Sequence, residues 1–357
     1  MRLNKEQLKD LKDKHGNLYS YSKYQTYIND PYGFYLKYIK HIQEDRINNN
    51  FSILGTLCHD LIEEGHKEKL NKEEMLNKFY ENIMFMQTKF FNDNEKLNNS
   101  VEGKYLPCVE HYIKNFKVIP YEFKAEDMLS CMIDKYFVYG YVDMWHKEYD
   151  EDEKDTIYTI TDFKTSTLYS KKDIESHKEQ LLLYATGLSR KFKVPFNKIK
   201  LRWDFVKYVN VTFVQQNGKI RTQAVERHIL CEFICKKVLK IATKLKYEED
   251  DIDEMILHIN NEQYELLPEN IRNNFYIDNC YVYIEYSEKD ITEFLDKFKA
   301  ILAEIELNVA LYDLTEDENI FWKDIEPNEA FYFNNLCGYS SKLHKPYEEY
   351  LKKHKQW

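Results

Sequence analysis

No run of about 18 apolar residues occurs in the 357-residue chain, which argues against a membrane-spanning helix. The opening stretch MRLNKEQLKDLKDKHGNLYS has no apolar centre and does not read as a secretory signal. A cytoplasmic protein is therefore the expectation, in the host cytoplasm if the source is viral. Cysteine is scarce, scattered and odd in number at seven, which points to free thiols rather than a disulfide framework. An excess of positive charge is missing too: 61 acidic residues against 51 Lys and Arg leave a net charge of −10. Such a chain does not coat nucleic acid by bulk electrostatics. It can still gather positive charge in one groove and add to it with a bound divalent cation. No internal repeat and no stretch of linker composition interrupts the chain.

What is present is a large apolar inventory, 43% of residues, rich in aromatics with 30 Tyr and 21 Phe. It suffices for one large domain with insertions or two modest ones. Heavy use of Asn, Lys, Tyr and Ile suggests an AT-rich genome, such as that of a phage or a low-GC bacterium.

Periodicity predicts a polar helix over 5–15, a helix starting at Ser20 or Ser22, and a further one after Pro31, which suits a first helical turn. NNNFS (48–52) reads as a loop, with helices over 55–70, 72–92 and 105–118. Alternation sets in near residue 120, over MLSCMIDKYFVYGYVDMWHKEY, and a second strand spans 156–163 after an acidic turn. A helix with an apolar centre covers 178–192. Asn217-Gly218 marks a hairpin, and a long helix is expected over 223–247. Residues 248–285 are mixed; Ser287 with Asp290 marks a capped helix running to Asn308. The order of helices, strands, helix, strands and helices predicts an α/β or α+β chain with a small mixed sheet in a large helical shell.

The chemistry gathers in a few stretches. TITDFKTS ends an apolar strand in Asp162, Phe163 and Lys164, so an acid and a base two positions apart share one face. In so charged a chain such spacing arises by chance, and only the buried context raises its meaning. Asp143, in GYVDMW, reads alone as an edge acid facing water; beside Asp162 on an adjacent strand it becomes half of a hard-cation site. His59 and Glu63, in GTLCHDLIEE, lie one turn apart on a helix. A lone helical His is commonly structural, whereas a His near two carboxylates suits Mn²⁺. Gln180 and Tyr184 at i, i+4 are either an exposed Gln and a core Tyr or a face that holds water or phosphate. Arg190, Lys191, Lys193, Lys198, Lys200 and Arg202 make 189–203 a candidate nucleic-acid contact or a solvated loop.

Taken together, SYSKYQTYINDPYGFYLKYI, GTLCHDLIE, GYVDMW, DFKTS and QLLLYA, over about residues 20–190, resemble the RecB-like branch of the PD-(D/E)XK nuclease superfamily, which includes phage and CRISPR-associated exonucleases. The resemblance implies a restriction-endonuclease-like core over 119–247. An N-terminal helical region (1–118) would carry the GTLCH motif, and a C-terminal helical and irregular region (248–357) would pack on the core. It implies a Mg- or Mn-dependent phosphodiesterase acting on duplex ends or single strands of DNA, with a recombination or replication protein as a candidate partner. By resemblance His59, Asp143, Asp162 and the carbonyl of Phe163 bind metal, Lys164 activates water, and Gln180 and Tyr184 complete the site. Glu63 and Glu122 are further candidate ligands. Many relatives carry an iron–sulfur cluster on one Cys before the early Pro and three near the C-terminus. Here Asp30 precedes Pro31, and Ser340 follows Cys337 where a second Cys would stand. A cluster needs four ligands, so none is expected. Two other classes remain: a DNA- or partner-binding module on the same fold, and a structure-specific or RNA endonuclease.

Overall fold

The alternating segment that begins near residue 120 becomes the spine of one mixed sheet. A computed structural model describes residues 3–46, 50–89, 101–152, 154–215 and 218–354. Among the described residues seven strands run as β1 (Leu18–Tyr19), β2 (Glu122–Ile133), β3 (Tyr136–Asp150), β4 (Asp155–Lys164), β5 (Ile199–Val214), β6 (Ile220–Glu226) and β7 (Phe275–Ile284). β3 pairs with antiparallel β2 on one edge, and on the other with β4 and the short parallel β1. β5 pairs with β7 on one edge, and on the other with parallel β4 and antiparallel β6. β4 therefore ends at Lys164 in a fork, with β1 beyond it on the β3 side and β6 beyond it on the β5 side.

The helices are α1 (Lys5–His15), α2 (Tyr21–Asn29), α3 (Pro31–Phe34), α4 (Asn50–His66), α5 (Lys72–Lys89), α6 (Leu106–Lys114), α7 (Lys171–Phe192), α8 (Leu230–Leu245), α9 (Glu249–Asn260), α10 (Glu269–Arg272), α11 (Glu288–Thr315), α12 (Ala330–Asn335) and α13 (Lys345–His354). Local signals set several boundaries. Ser20 caps α2, Pro31 opens α3, and Ser287 with Asp290 forms the capping box of α11.

Elsewhere the ends fall at other residues than expected. Residues 50–52 of the expected loop are helical, and 48–49 lie outside the described residues. The helix read as 178–192 begins at Lys171, behind a Ser170–Asp173 capping box. The helix read from 223 begins at Leu230, because 220–226 pairs with β5. Asn217 lies outside the described residues; Gly218 takes φ +78°, a left-handed value that suits glycine, and closes the hairpin. β7 lies in the stretch read as mixed; its register against β5 shifts between Asp204 and Val209, so its apolar residues do not alternate cleanly.

Both faces of the sheet are covered. On one, Ile160, Trp203 and Phe205 pack with Leu181, Leu182, Ala185 and Leu188 of α7, and with aromatics of α2, α3 and α11. Each of those leucines contributes roughly 2 kcal/mol by leaving water. On the other, Met144, Phe163 and Val206 pack with Leu57 and Leu61 of α4, Phe79 of α5 and Val109 of α6. A third core joins Val209, Val211 and Val225 to α8, α9 and α10. Among the described residues no helix is long and apolar enough to cross a membrane.

Candidate active site

The site is built at the fork where β4 ends. The β3–β4 ladder stops at Met144–Thr161, so Asp143 and Asp162 stand opposite one another just beyond it. Instead of a backbone carbonyl, the Asp143 carboxylate accepts the next N–H, that of Phe163, at 2.8 Å from Oδ2. Side-chain alternation is reset at this point. Val142 packs in the α7-side core, whereas Met144 packs in the α4-side core; two positions apart in a regular strand would share a face. Asp143 is the pivot, so groups from both faces reach it.

From the α4 side comes His59, whose Nδ1 lies 3.5 Å from Asp143 Oδ2. The helix presents it because Leu57, Cys58, Leu61 and Ile62 are buried while His59 sits between the buried rows. The fit is close: a Cβ on Gly55 would come within 3.3 Å of Thr165 Oγ1, just past β4. From the α7 side comes Lys164, with Nζ 2.5 Å from Asp162 Oδ2 and 3.4 Å from Gln180 Oε1. Gln180 in turn donates from Nε2 to the Tyr184 hydroxyl at 3.0 Å. Gly140 lets α7 approach, since a Cβ there would meet the Tyr184 ring at 3.0 Å.

The charges are tuned by burial and by one another. Burial opposes ionisation of Asp143, yet His59, Lys164 and the Phe163 amide outweigh it and hold its pKa below the ordinary value. Asp162 is displaced the other way, upward, chiefly by burial, with Lys164 opposing and Asp143 adding to the rise. Lys164 and His59 are half-buried, which opposes their charged forms, but the carboxylates raise both pKa values. Two acids thus sit in one site with their affinities for protons pushed apart.

Among the described residues no three acid, histidine or thiol side chains converge as a finished metal cage. The donor set nevertheless fits a hard divalent cation. Asp162 Oδ2 is buried and meets the Lys164 ammonium at 2.5 Å, with no other hydrogen-bond partner among the described residues. Mg²⁺ and Mn²⁺ need only one or two carboxylates when water and phosphate fill the remaining positions.

Other expected residues fall differently. Glu63 lines a small cavity with His59, Asp143 and Phe163, and accepts a hydrogen bond from Lys67. Glu122 is not at the site: it is exposed, pairs with Lys147 at 2.8 Å, and lies four residues along β2. Glu126 lines that cavity instead: its neighbours Ala125 and Asp127 pair with Met144 and Val142, the residues on either side of Asp143. Its φ of +49° is a left-handed value, which costs roughly 1–2 kcal/mol outside glycine. Only strand register could have singled it out, since the AEDM stretch carries no motif.

The basic segment is also corrected in part. Arg202 is buried: Nε donates to Thr161 Oγ1 at 2.8 Å, and its guanidinium lies 3.8 Å from the Tyr281 ring centroid. It is a core residue rather than a phosphate contact. Lys191 and Lys198 pair with Asp127 and Asp155, while Arg190, Lys193 and Lys200 are exposed. Ile199 pairs with Tyr158 and Phe205 with Lys164, so Ile199 lies about 20 Å along β4 from Lys164, whereas Lys191 reaches Asp127, the β2 partner of Val142.

A mixed sheet that delivers an acid from one strand and an acid-x-lysine pair from its neighbour, with helices on both faces, is the restriction-endonuclease-like nuclease core. The chain belongs to the PD-(D/E)XK nuclease superfamily, whose family model matches residues 19–305, from β1 well into α11. The superfamily consists of metal-dependent nucleases, generally served by Mg or Mn. No curated protein matches the chain.

Proposed function

We propose that this chain is a DNA nuclease of the RecB-like, phage or mobile-element type, acting on duplex ends or single strands as an exonuclease or end-processing enzyme. The observation that carries the reading is the meeting of His59, Asp143, Asp162 and Lys164 at one fork, from two strands and a helix on the opposite face. His59, Asp143, Asp162 and the Phe163 carbonyl would hold Mg²⁺ or Mn²⁺, with Glu63 and Glu126 close by. When bound, the cation supplies charge neutralisation at the scissile phosphate and makes water a better nucleophile.

The chain's own groups do the rest. The Lys164 ammonium, steered by Gln180 and Asp162, orients the attacking water and stabilises negative charge as it grows on phosphate oxygens. Tyr184 fixes the Gln180 amide, whose oxygen then faces the lysine. Asp143 keeps His59 in place through the same carboxylate that closes the β3–β4 ladder. No iron–sulfur cluster belongs to this reading, and a cytoplasmic location with a recombination or replication partner accompanies it.

The test is cleavage of linear duplex, circular duplex and single-stranded DNA with Mg²⁺ or Mn²⁺, wild type beside Lys164→Ala and Asp143→Ala. Cleavage of linear but not circular DNA, lost in both variants, is expected. Activity that survives both substitutions would overturn the assignment. Calorimetry with Mn²⁺ alone should show heat that disappears in Asp162→Ala.

A further inference from the structure

One feature beside the fork has no part in the cleavage chemistry. Tyr169, between β4 and α7, and His177, in the second turn of α7, stack with ring centroids 4.1 Å apart and planes 29° from parallel. The tyrosine is braced from beneath by edge contacts to Trp203 and Phe205, each at 5.1 Å. Those two residues are the β5 neighbours, in register, of Asp162 and Lys164. The imidazole is fixed as well. Its Nδ1 lies 2.7 Å from the Asp173 carbonyl, which can only accept, so Nδ1 carries a proton and donates it there. His177 is exposed and Tyr169 half-buried, so the stack ends in a ring open to solvent.

Its position matters more than its existence. His177 precedes Gln180 by three residues, so the two share a face of α7 about 5–6 Å apart. Gln180 is the residue that touches Lys164. The stack thus stands one helical turn from the lysine, on the same side of the sheet.

We propose that the Tyr169–His177 stack is a platform for an unpaired nucleobase beside the scissile phosphate, so that single-stranded or frayed ends are preferred over fully paired ones. The inference rests on the nuclease reading for its substrate. Rings already ordered lose little freedom when a third ring is added. Stacking tolerates any base, because every base offers a π-face. Inside a duplex both faces of a base are covered by its neighbours, and only the outer face of a terminal pair is free, so a base next to an internal scissile phosphate reaches the platform only when unpaired.

The experiment compares a single-stranded oligonucleotide with a blunt duplex of the same sequence, in kcat/KM with Mg²⁺ and in binding by fluorescence anisotropy. Exposed His177 is replaced by Ala and by Phe, with the thermal midpoint checked for each. His177→Ala should lower single-strand kcat/KM about tenfold, mainly through KM, and leave the duplex nearly unchanged. His177→Phe should restore it, and abasic sites near the scissile phosphate should impose the same loss on wild type. Equal effects on both substrates, or indifference to abasic sites, would overturn the platform while cleavage by wild type upheld the nuclease. Absence of cleavage with His177-dependent single-strand binding would overturn the nuclease reading and keep the platform.

Discussion

Two aspartate–histidine pairs in this molecule invite comparison. His59 and Asp143 meet at 3.5 Å, their side chains 32% and 17% exposed. His344 and Asp30 meet at 2.8 Å, 1% and 4% exposed. The second pair is complete. Asp30 Oδ1 also accepts the Gly33 N–H at 2.8 Å, Oδ2 has Cys337 Sγ at 3.9 Å, and His344 Nδ1 accepts the Tyr347 N–H at 3.2 Å. Since Nδ1 accepts, Nε2 carries the proton and donates it to Asp30. Tyr32 and Phe333 close over the imidazole at 5.1 and 5.3 Å. The pair ties residue 30 to residue 344 and has no capacity left for a ligand.

The first pair is incomplete by the same measure. Its contact is long, it reaches solvent, and the neighbouring Asp162 is held by the Lys164 ammonium. Identical residue types therefore sit in opposite settings: a sealed, short contact in the clasp, and a longer, solvent-reaching one at the candidate site.

Substitutions should pull the two regions apart. The largest effect is expected for Asp162→Asn: cleavage should fall by at least about a hundredfold while the thermal midpoint stays near wild type. A comparable loss of stability would make the fork a structural element like the clasp. Next, His344→Ala should cost roughly 3 kcal/mol in urea unfolding by leaving Asp30 buried without its donor. Cleavage per folded molecule at low temperature should not change. A variant that kept its stability but lost activity would reverse the assignment of the two pairs.

A smaller effect probes a third acid, Asp204, which pairs in register with Phe163. Tyr112 donates to its Oδ2 at 3.0 Å, but Oδ1 is buried without a partner. Burial pushes its pKa up to about 6, against the pull of Arg227 and the Tyr112 bond. A carboxyl whose folded value exceeds its unfolded value, about 3.9, binds its proton more tightly when folded. Its contribution is present below pH 4 and lost as pH rises through 6, on the order of 3 kcal/mol. Relative to wild type, Asp204→Asn should gain stability over that window and hold the gain above it. Urea unfolding at pH 4 and pH 7 reads the difference, and an equal offset at both pH values would remove Asp204 as its source.

Much of the fold and part of the site were legible beforehand. The strand ending in Asp162-Phe163-Lys164, the Ser287 cap and the hairpin at Gly218 carry their signals within a few residues. Glu126 carries none, and Glu122 looked better from its neighbours alone. Arg202 read as surface charge because its partners, Thr161 and Tyr283, lie 41 and 81 positions away.

By itself the sequence determined which segments are strands or helices over most of the chain, and which short stretches carry acid, lysine and imidazole. Period, capping and turn chemistry act over a handful of neighbours, and a string of residues records them. Only the tertiary structure decided that Asp143 meets His59, that Glu126 rather than Glu122 lines the cavity beside it, that Arg202 is sealed in, and that Tyr169 and His177 stack near Gln180. Those outcomes depend on strand register and on helices seated across a sheet, between residues far apart in the chain, where no local pattern reaches.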